Sequence, residues 1–380
     1  MIKPFKLSVS KKTLNEIYKK VKKYPWADIE NLKGWEHGTN YNYLKKISKY
    51  WCTKFNWKKQ EEKINSFSNY VVNVNGIKIH FIKEKSSNPK AKPLLLLHGW
   101  PGSVIEFFYL IPRLAHPERF GGRKEDGFDV IVPSLPGFGF SSPTKSPIGP
   151  RKMAKIINKF MTNNLKFNKY FAQGGDWGAT ISNWLAYDYS KNCKAIHINC
   201  LTMRHPGGFK TKKEKKWGIK FVKDQIMQEG YRTQQATKPQ SLSYAMIDSP
   251  VGTAAWILEK FFSWSDLNKN NIESVYSKDL LLTNIMIYIL SKSFNTATWI
   301  YFGRRKEGGR FFPKNFKKIK VFTGVAEFPK EMSSWPPKSY INRIFNLKHW
   351  TKMKHGGHFA ALEQPNLLIN DIRIFARTLR

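Results

Sequence analysis

Residues 170–179, Tyr-Phe-Ala-Gln-Gly-Gly-Asp-Trp-Gly-Ala, place one carboxylate, Asp176, between Gly174 and Gly178, after a short apolar run and before the helical stretch Thr180 to Tyr189. Strand, sharp turn and helix with small residues two positions either side of the tip is the spacing of a nucleophile elbow, where flanking side chains have no room. A serine at such a tip loses its proton as it attacks and suits acyl transfer. An aspartate is already charged: it can displace a leaving group from an sp3 carbon, and water then cleaves the resulting ester at the carbonyl of the enzyme's own side chain. Asp before a helix is also a common cap, so the elbow needs partners.

Two further stretches supply them. Leu94-Leu-Leu-Leu-His-Gly-Trp-Pro-Gly-Ser ends an apolar run in a Gly/Pro turn at His98, Gly99, Trp100, Pro101 and Gly102. Such a turn can aim a backbone N–H, that of Trp100, at the elbow, as the oxyanion loop of an α/β-hydrolase does. His355-Gly-Gly-His-Phe-Ala-Ala lies near the C-terminus, and His358 is the last of nine histidines. The order nucleophile, acid, histidine makes His358 the general base, with His355 a support of its loop and His349 in or near a strand. For the acid, the run Ile319 to Phe322 leads into Thr323-Gly-Val-Ala-Glu-Phe-Pro-Lys-Glu, which offers Glu327 and Glu331. Spacing alone does not choose between them.

The elements that must hold these residues follow from periodicity. Ser10 can cap a helix carrying Leu14, Ile17, Tyr18 and Val21, and a Trp-rich helical stretch runs on through Trp35, Trp51 and Trp57. Tyr70 to Ile82 alternates around Asn75-Gly76, a tight-hairpin dipeptide. Short apolar runs then alternate with helical stretches: Pro93 to Leu97, Phe128 to Val132, Tyr170 to Ala172, Ala195 to Ile198 and Val321 to Phe322. The fold class is α/β, a mostly parallel sheet with helices on both faces. From Leu201 to Gly309 the strand signal gives way to helical, aromatic sequence. The expected organisation is an N-terminal helical region 1–65, core 66–200, helical cap 201–310 and core 311–380.

The chain has 380 residues with a formal charge of +38, 41% hydrophobic and 15% aromatic residues, which excludes a disordered basic tail. The basic residues are spread along the chain at helical spacing without a nucleic-acid signature, so a solvated lysine-rich surface and no specific nucleic-acid partner are expected. No apolar run reaches the length of a membrane span, and no signal peptide or transmembrane anchor is read. Cys52, Cys193 and Cys200 form no C-x-x-C pair, which fits a reducing, cytoplasmic location.

His-Gly-Trp-Pro-Gly-Ser, Leu135-Pro-Gly-Phe-Gly-Phe-Ser, Gly-Gly-Asp-Trp-Gly and Gly-Gly-His-Phe-Ala-Ala together resemble the microsomal-type epoxide hydrolases over nearly the whole chain. Ile2-Lys-Pro-Phe and Trp26-Ala-Asp resemble the start of that family's N-terminal helical domain. Asp248-Ser-Pro-Val-Gly and Ile257-Leu-Glu-Lys-Phe resemble its cap. The family's membrane anchor is not seen ahead of this helical start.

The resemblance implies an α/β-hydrolase fold with an inserted cap and two cap tyrosines that hold the oxirane oxygen. Glu229-Gly-Tyr-Arg-Thr-Gln-Gln matches the first at Tyr231, and spacing from Thr283-Asn-Ile-Met-Ile-Tyr places the second at Tyr301. The same comparison selects Glu331. The expected reaction is opening of an apolar epoxide by Asp176, with Tyr231 and Tyr301 on the oxygen. His358, oriented by Glu331, then activates water, with the Trp100 and Trp177 N–H groups as oxyanion hole and no cofactor or metal. Trp299, Phe294, Trp256 and Met246 are candidates to shape the pocket, against the commoner role of cap aromatics as packing, and a homodimer is left open. The alternatives are a haloalkane dehalogenase with the same Asp/His machinery and a non-catalytic binding protein on a hydrolase scaffold.

Overall fold

The computed structural model describes residues 1–27 and 34–379, and Asp28 of the Trp26-Ala-Asp segment lies outside them. Among these residues, nine strands form one sheet: β1 (Lys3–Pro4), β2 (Asn69–Val74), β3 (Ile77–Glu84), β4 (Lys92–Leu97), β5 (Phe128–Pro133), β6 (Tyr170–Gly174), β7 (Cys193–Ile198), β8 (Ile319–Glu327) and β9 (Phe345–Lys352). Their spatial order is β1-β2-β3-β5-β4-β6-β7-β8-β9. β1 to β3 and the β3–β5 pair are antiparallel. From β5 onward every pairing is parallel.

The run Leu94 to Leu97 shows why strands at the centre are continuously apolar. Leu95 and Leu97 pack into one core cluster and Leu94 and Leu96 into another on the opposite face, as expected for a parallel strand covered on both sides. The β2–β3 hairpin turns at Asn75 and Gly76 with φ of 53° and 84°, both in the left-handed region that a two-residue hairpin requires. The Ser10 hydroxyl caps helix Lys11–Lys22, whose buried face is Leu14, Ile17 and Val21.

Helices Tyr41–Thr53 and Trp57–Asn65 complete the N-terminal group, and six α-helices from Lys212 to Lys306 separate β7 from β8. Tyr231 and Tyr301 on two of these line the same cavity as Asp176, so this layer covers the carboxyl ends of the central strands. Every apolar run read as a strand lies in one. β1 is only two residues long, too short to show a period, and β9 emerges as a full strand at the sheet edge. No helix of the described residues is long and apolar enough to cross a membrane.

Candidate active site

β6 ends at Gly174 and helix Asp176–Asp188 follows at once. Asp176 turns the corner with φ of 43°, a conformation that costs a non-glycine residue roughly 1–2 kcal/mol. The approach leaves no space for substituents: a Cβ at Gly178 would fall on the Leu97 carbonyl, and one at Gly99 on the Asp176 side chain. The Asp176 N–H donates to Cys200 Sγ at 3.1 Å, and the Trp100 N–H donates to Asp176 Oδ1 at 2.8 Å. Trp177 stands in the first helical turn, where backbone N–H groups have no intrahelical acceptor.

His358 presents its two nitrogens to two carboxylates. Nδ1 is 2.8 Å from Glu331 Oε1, and Nε2 is 3.4 Å from Asp176 Oδ2 without hydrogen-bond geometry. Both His358 and Glu331 are almost fully buried, whereas 19% of the Asp176 side chain is accessible. Burial opposes the imidazolium, but Glu331 and then Asp176 outweigh it and hold the His358 proton well above the ordinary histidine range. Glu327 ends β8 and accepts the Trp350 indole N–H at 2.7 Å, so it is occupied away from His358.

Tyr231 and Tyr301 face Asp176 from the helical layer. Their rings lie 5.9 Å apart at 82°. Trp100 stacks on Tyr231 at 5.4 Å, and Trp177 meets Tyr301 edge-on at 4.6 Å. Burial, with Asp176 nearby, raises both phenols, so both keep their protons at neutral pH. The Tyr301 hydroxyl is buried without a hydrogen-bond partner. The other cap tyrosines are engaged or remote: Tyr276 pairs with Ser265 at 2.6 Å, Tyr288 donates to the Gly102 carbonyl at 2.7 Å, and Tyr244 is exposed.

One cavity with about 50 Å³ of free space is therefore lined by Asp176, Trp177, Tyr231, Tyr301, Glu331 and His358. Trp299, Phe294, Trp256 and Met246 do not line it. Arg204, Arg304 and Arg310 do, and no motif pointed to them. Behind the nucleophile, a second space of about 20 Å³ is bounded by Asp176, His358, Glu106, Gln173 and Asn199. That is room for one water among polar groups. Glu106, also unmarked in the sequence, is pushed up to about 8 by burial, and Asp176 adds to burial against the opposing His358 and Ser103 N–H. Among the described residues no group of His, Cys, Asp and Glu is arranged to hold a metal ion.

The arrangement sets a charged carboxylate oxygen able to act as a nucleophile beside an imidazole held by a second carboxylate, with a backbone N–H on the first carboxylate and two phenols opposite. The profile of the family described as "Epoxide hydrolase N terminus" matches residues 2–107, and that of the alpha/beta hydrolase fold matches residues 92–246. Epoxide hydrolase 1 of Sus scrofa is 36% identical, covering 98% of this chain and 88% of its own. The epoxide hydrolase of Aspergillus niger superposes with a TM-score of 0.87 at 28% identity, covering 100% of this chain and 97% of its own. The juvenile hormone epoxide hydrolase of Bombyx mori gives 0.87 at 27%, covering 100% and 96%. With relatives matched over nearly their full length and the same sheet beneath the same kind of helical cover, the chain belongs to the epoxide hydrolase family of the α/β-hydrolase fold.

Proposed function

We propose that this protein hydrolyses epoxides to vicinal diols through an ester on Asp176. The observation that carries the reading is the placement of the Asp176 carboxylate between the Trp100 N–H and His358 Nε2, across one cavity from the Tyr231 and Tyr301 rings. Asp176 attacks an oxirane carbon from the side away from oxygen. The C–O bond breaks, and one of the two tyrosines donates the proton that makes the new hydroxyl.

Charge then redistributes. The ester no longer carries the negative charge that helped hold the His358 proton, while the tyrosinate needs one; transfer from His358 to the tyrosinate restores the phenol and leaves a neutral imidazole. His358, oriented by Glu331, takes a proton from water as the oxygen attacks the Asp176 carbonyl. The Trp100 and Trp177 N–H groups stabilise the oxyanion. Collapse breaks the ester bond, the departing alkoxide takes the remaining proton of the attacking water from the newly formed Asp176 carboxyl, and carboxylate and imidazolium are restored.

The test is intact-protein mass after mixing with small aryl and alkyl epoxides. His358→Gln is expected to accumulate a species heavier by one substrate, because ring opening outlasts the loss of the base. Asp176→Ala should show neither adduct nor diol. Diol formation by folded Asp176→Ala would overturn the covalent route, and halide release from haloalkanes with no epoxide turnover would replace the reaction by dehalogenation.

A further inference from the structure

The cavity wall carries more positive charge than epoxide opening uses. Arg204, Arg304 and Arg310 all line it beside Asp176, Tyr231 and Tyr301. Among the described residues none of the three forms an ion pair or a side-chain hydrogen bond, and the carboxylate felt by Arg304 and Arg310 is that of Asp176, at longer range. Elsewhere Arg151, Arg232, Arg343 and Arg377 pair with Asp188, Glu229, Glu214 and Asp126, while half-buried Arg113 and Arg373 reach backbone carbonyls only.

The fold brings the three together deliberately. The Arg204 N–H donates to the Arg310 carbonyl at 2.8 Å, and the Phe312 N–H donates to the Arg204 carbonyl at 3.0 Å, which pins the two segments side by side. Arg304 comes from the last turn of helix Phe294–Lys306. Aromatic faces support two of the guanidiniums, Arg304 at 4.6 Å over Trp177 and Arg204 at 4.1 Å over Phe221. Gathering like charges in a semi-enclosed space is costly without a counter-ion. Burial, with Arg310 and Arg304 adding to it against Tyr340, presses Arg204 down to about 10. Of the acids lining the cavity, Glu331 is taken by His358, and Asp176 accepts the Trp100 N–H and lies 3.4 Å from His358 Nε2, its charge also reaching Arg304 and Arg310.

We infer that the substrate is an epoxide bearing an acidic oxyanion group, held by Arg204, Arg304 and Arg310 while its apolar body lies against Trp177, Phe221, Tyr231 and Tyr301. This rests on the epoxide reading of Asp176 and deepens it. Planar guanidiniums serve a carboxylate and a phosphoryl group alike, so the shared chemistry is the oxyanion. The substrate is amphiphilic rather than purely apolar.

The experiment compares three epoxides of equal chain length, a carboxylate, a phosphonate and the methyl ester of the first, as kcat/KM at physiological ionic strength. At least one acid should exceed the ester by roughly tenfold or more, the size of a charge-assisted contact. Arg204→Gln and Arg310→Gln should each collapse that ratio toward one. As a check independent of the variants, the saturated carboxylate without an epoxide should inhibit the unaltered enzyme competitively and better than its methyl ester. Turnover of the ester with no preference for either acid would overturn the inference and leave epoxide hydrolysis standing. An unchanged ratio in both variants would also overturn it, and failure to open all three epoxides would bring down both readings.

Discussion

Glu106 shows how burial at one residue couples folding to pH. The unfolded chain releases this proton near the ordinary value of 4.5, whereas the folded chain keeps it to about 8. Folding therefore carries a cost that is absent below about pH 4.5, grows as pH rises and is complete near 8. Glu106→Gln keeps the shape and removes the titration. The variant should match the unaltered protein in unfolding free energy from denaturant titration at pH 4 and exceed it by roughly 1–3 kcal/mol at pH 8; equal stability at both pH values would show that the carboxyl is not held neutral. Legibility at this scale varied with how much of a role is written locally. Asp176 and His358 stand in short segments whose glycines and order announce them. The choice of Glu331 over Glu327 depends on the path of a loop, and spacing could not supply it. Glu106 and the three cavity arginines become significant only when distant segments converge, and nothing distinguishes Arg204 among 65 basic residues.

At the scale of elements, the loop bearing His358 is held by acceptors from two other segments. Glu363 Oε1 accepts the Phe359 N–H at 2.8 Å, and Oε2 accepts the N–H groups of Gly357 at 2.8 Å and Asp266 at 2.7 Å. The His358 N–H donates to the Trp264 carbonyl at 2.8 Å, and the Gly356 N–H to Asp266 Oδ2 at 2.8 Å. Glu363 thus positions His358 without touching the reacting atoms. Glu363→Ala should strand buried N–H groups and destabilise the fold by roughly 2–5 kcal/mol. In the fraction that folds, ester hydrolysis should slow more than ring opening, so a mass adduct should build up, with partial rescue by Glu363→Gln. Equal slowing of both steps would argue for a merely structural role. The sequence revealed the element types because helix caps, hairpin glycines and apolar runs are local signals. It did not reveal this stapling, because Asp266 and Glu363 are far apart along the chain.

At the scale of the whole molecule, the N-terminal helices and the cap act on each other. Trp35 stacks on Phe262 with rings 4.1 Å apart and 4° from parallel, the Thr39 hydroxyl donates to the Ala255 carbonyl at 2.5 Å, and the Tyr50 hydroxyl to Asp279 at 2.8 Å. Phe262 lies on helix Pro250–Ser263, and the residue that follows this helix, Trp264, supplies the carbonyl that holds the His358 N–H. A mechanical line therefore runs from the N-terminal region through the cap to His358. Composition could not disclose it, since a charge of +38 says nothing about which helices meet. Trp35→Ala should remove a half-buried stacked ring at a cost of roughly 1–3 kcal/mol, below that of a fully buried tryptophan. The loss should be local: amide exchange should accelerate about tenfold or more in helix Pro250–Ser263 and the His358 loop while β4 and β6 keep their protection. Acceleration spread evenly over sheet and cap would mean that the N-terminal helices stabilise the protein as one cooperative unit and do not specifically brace the cap.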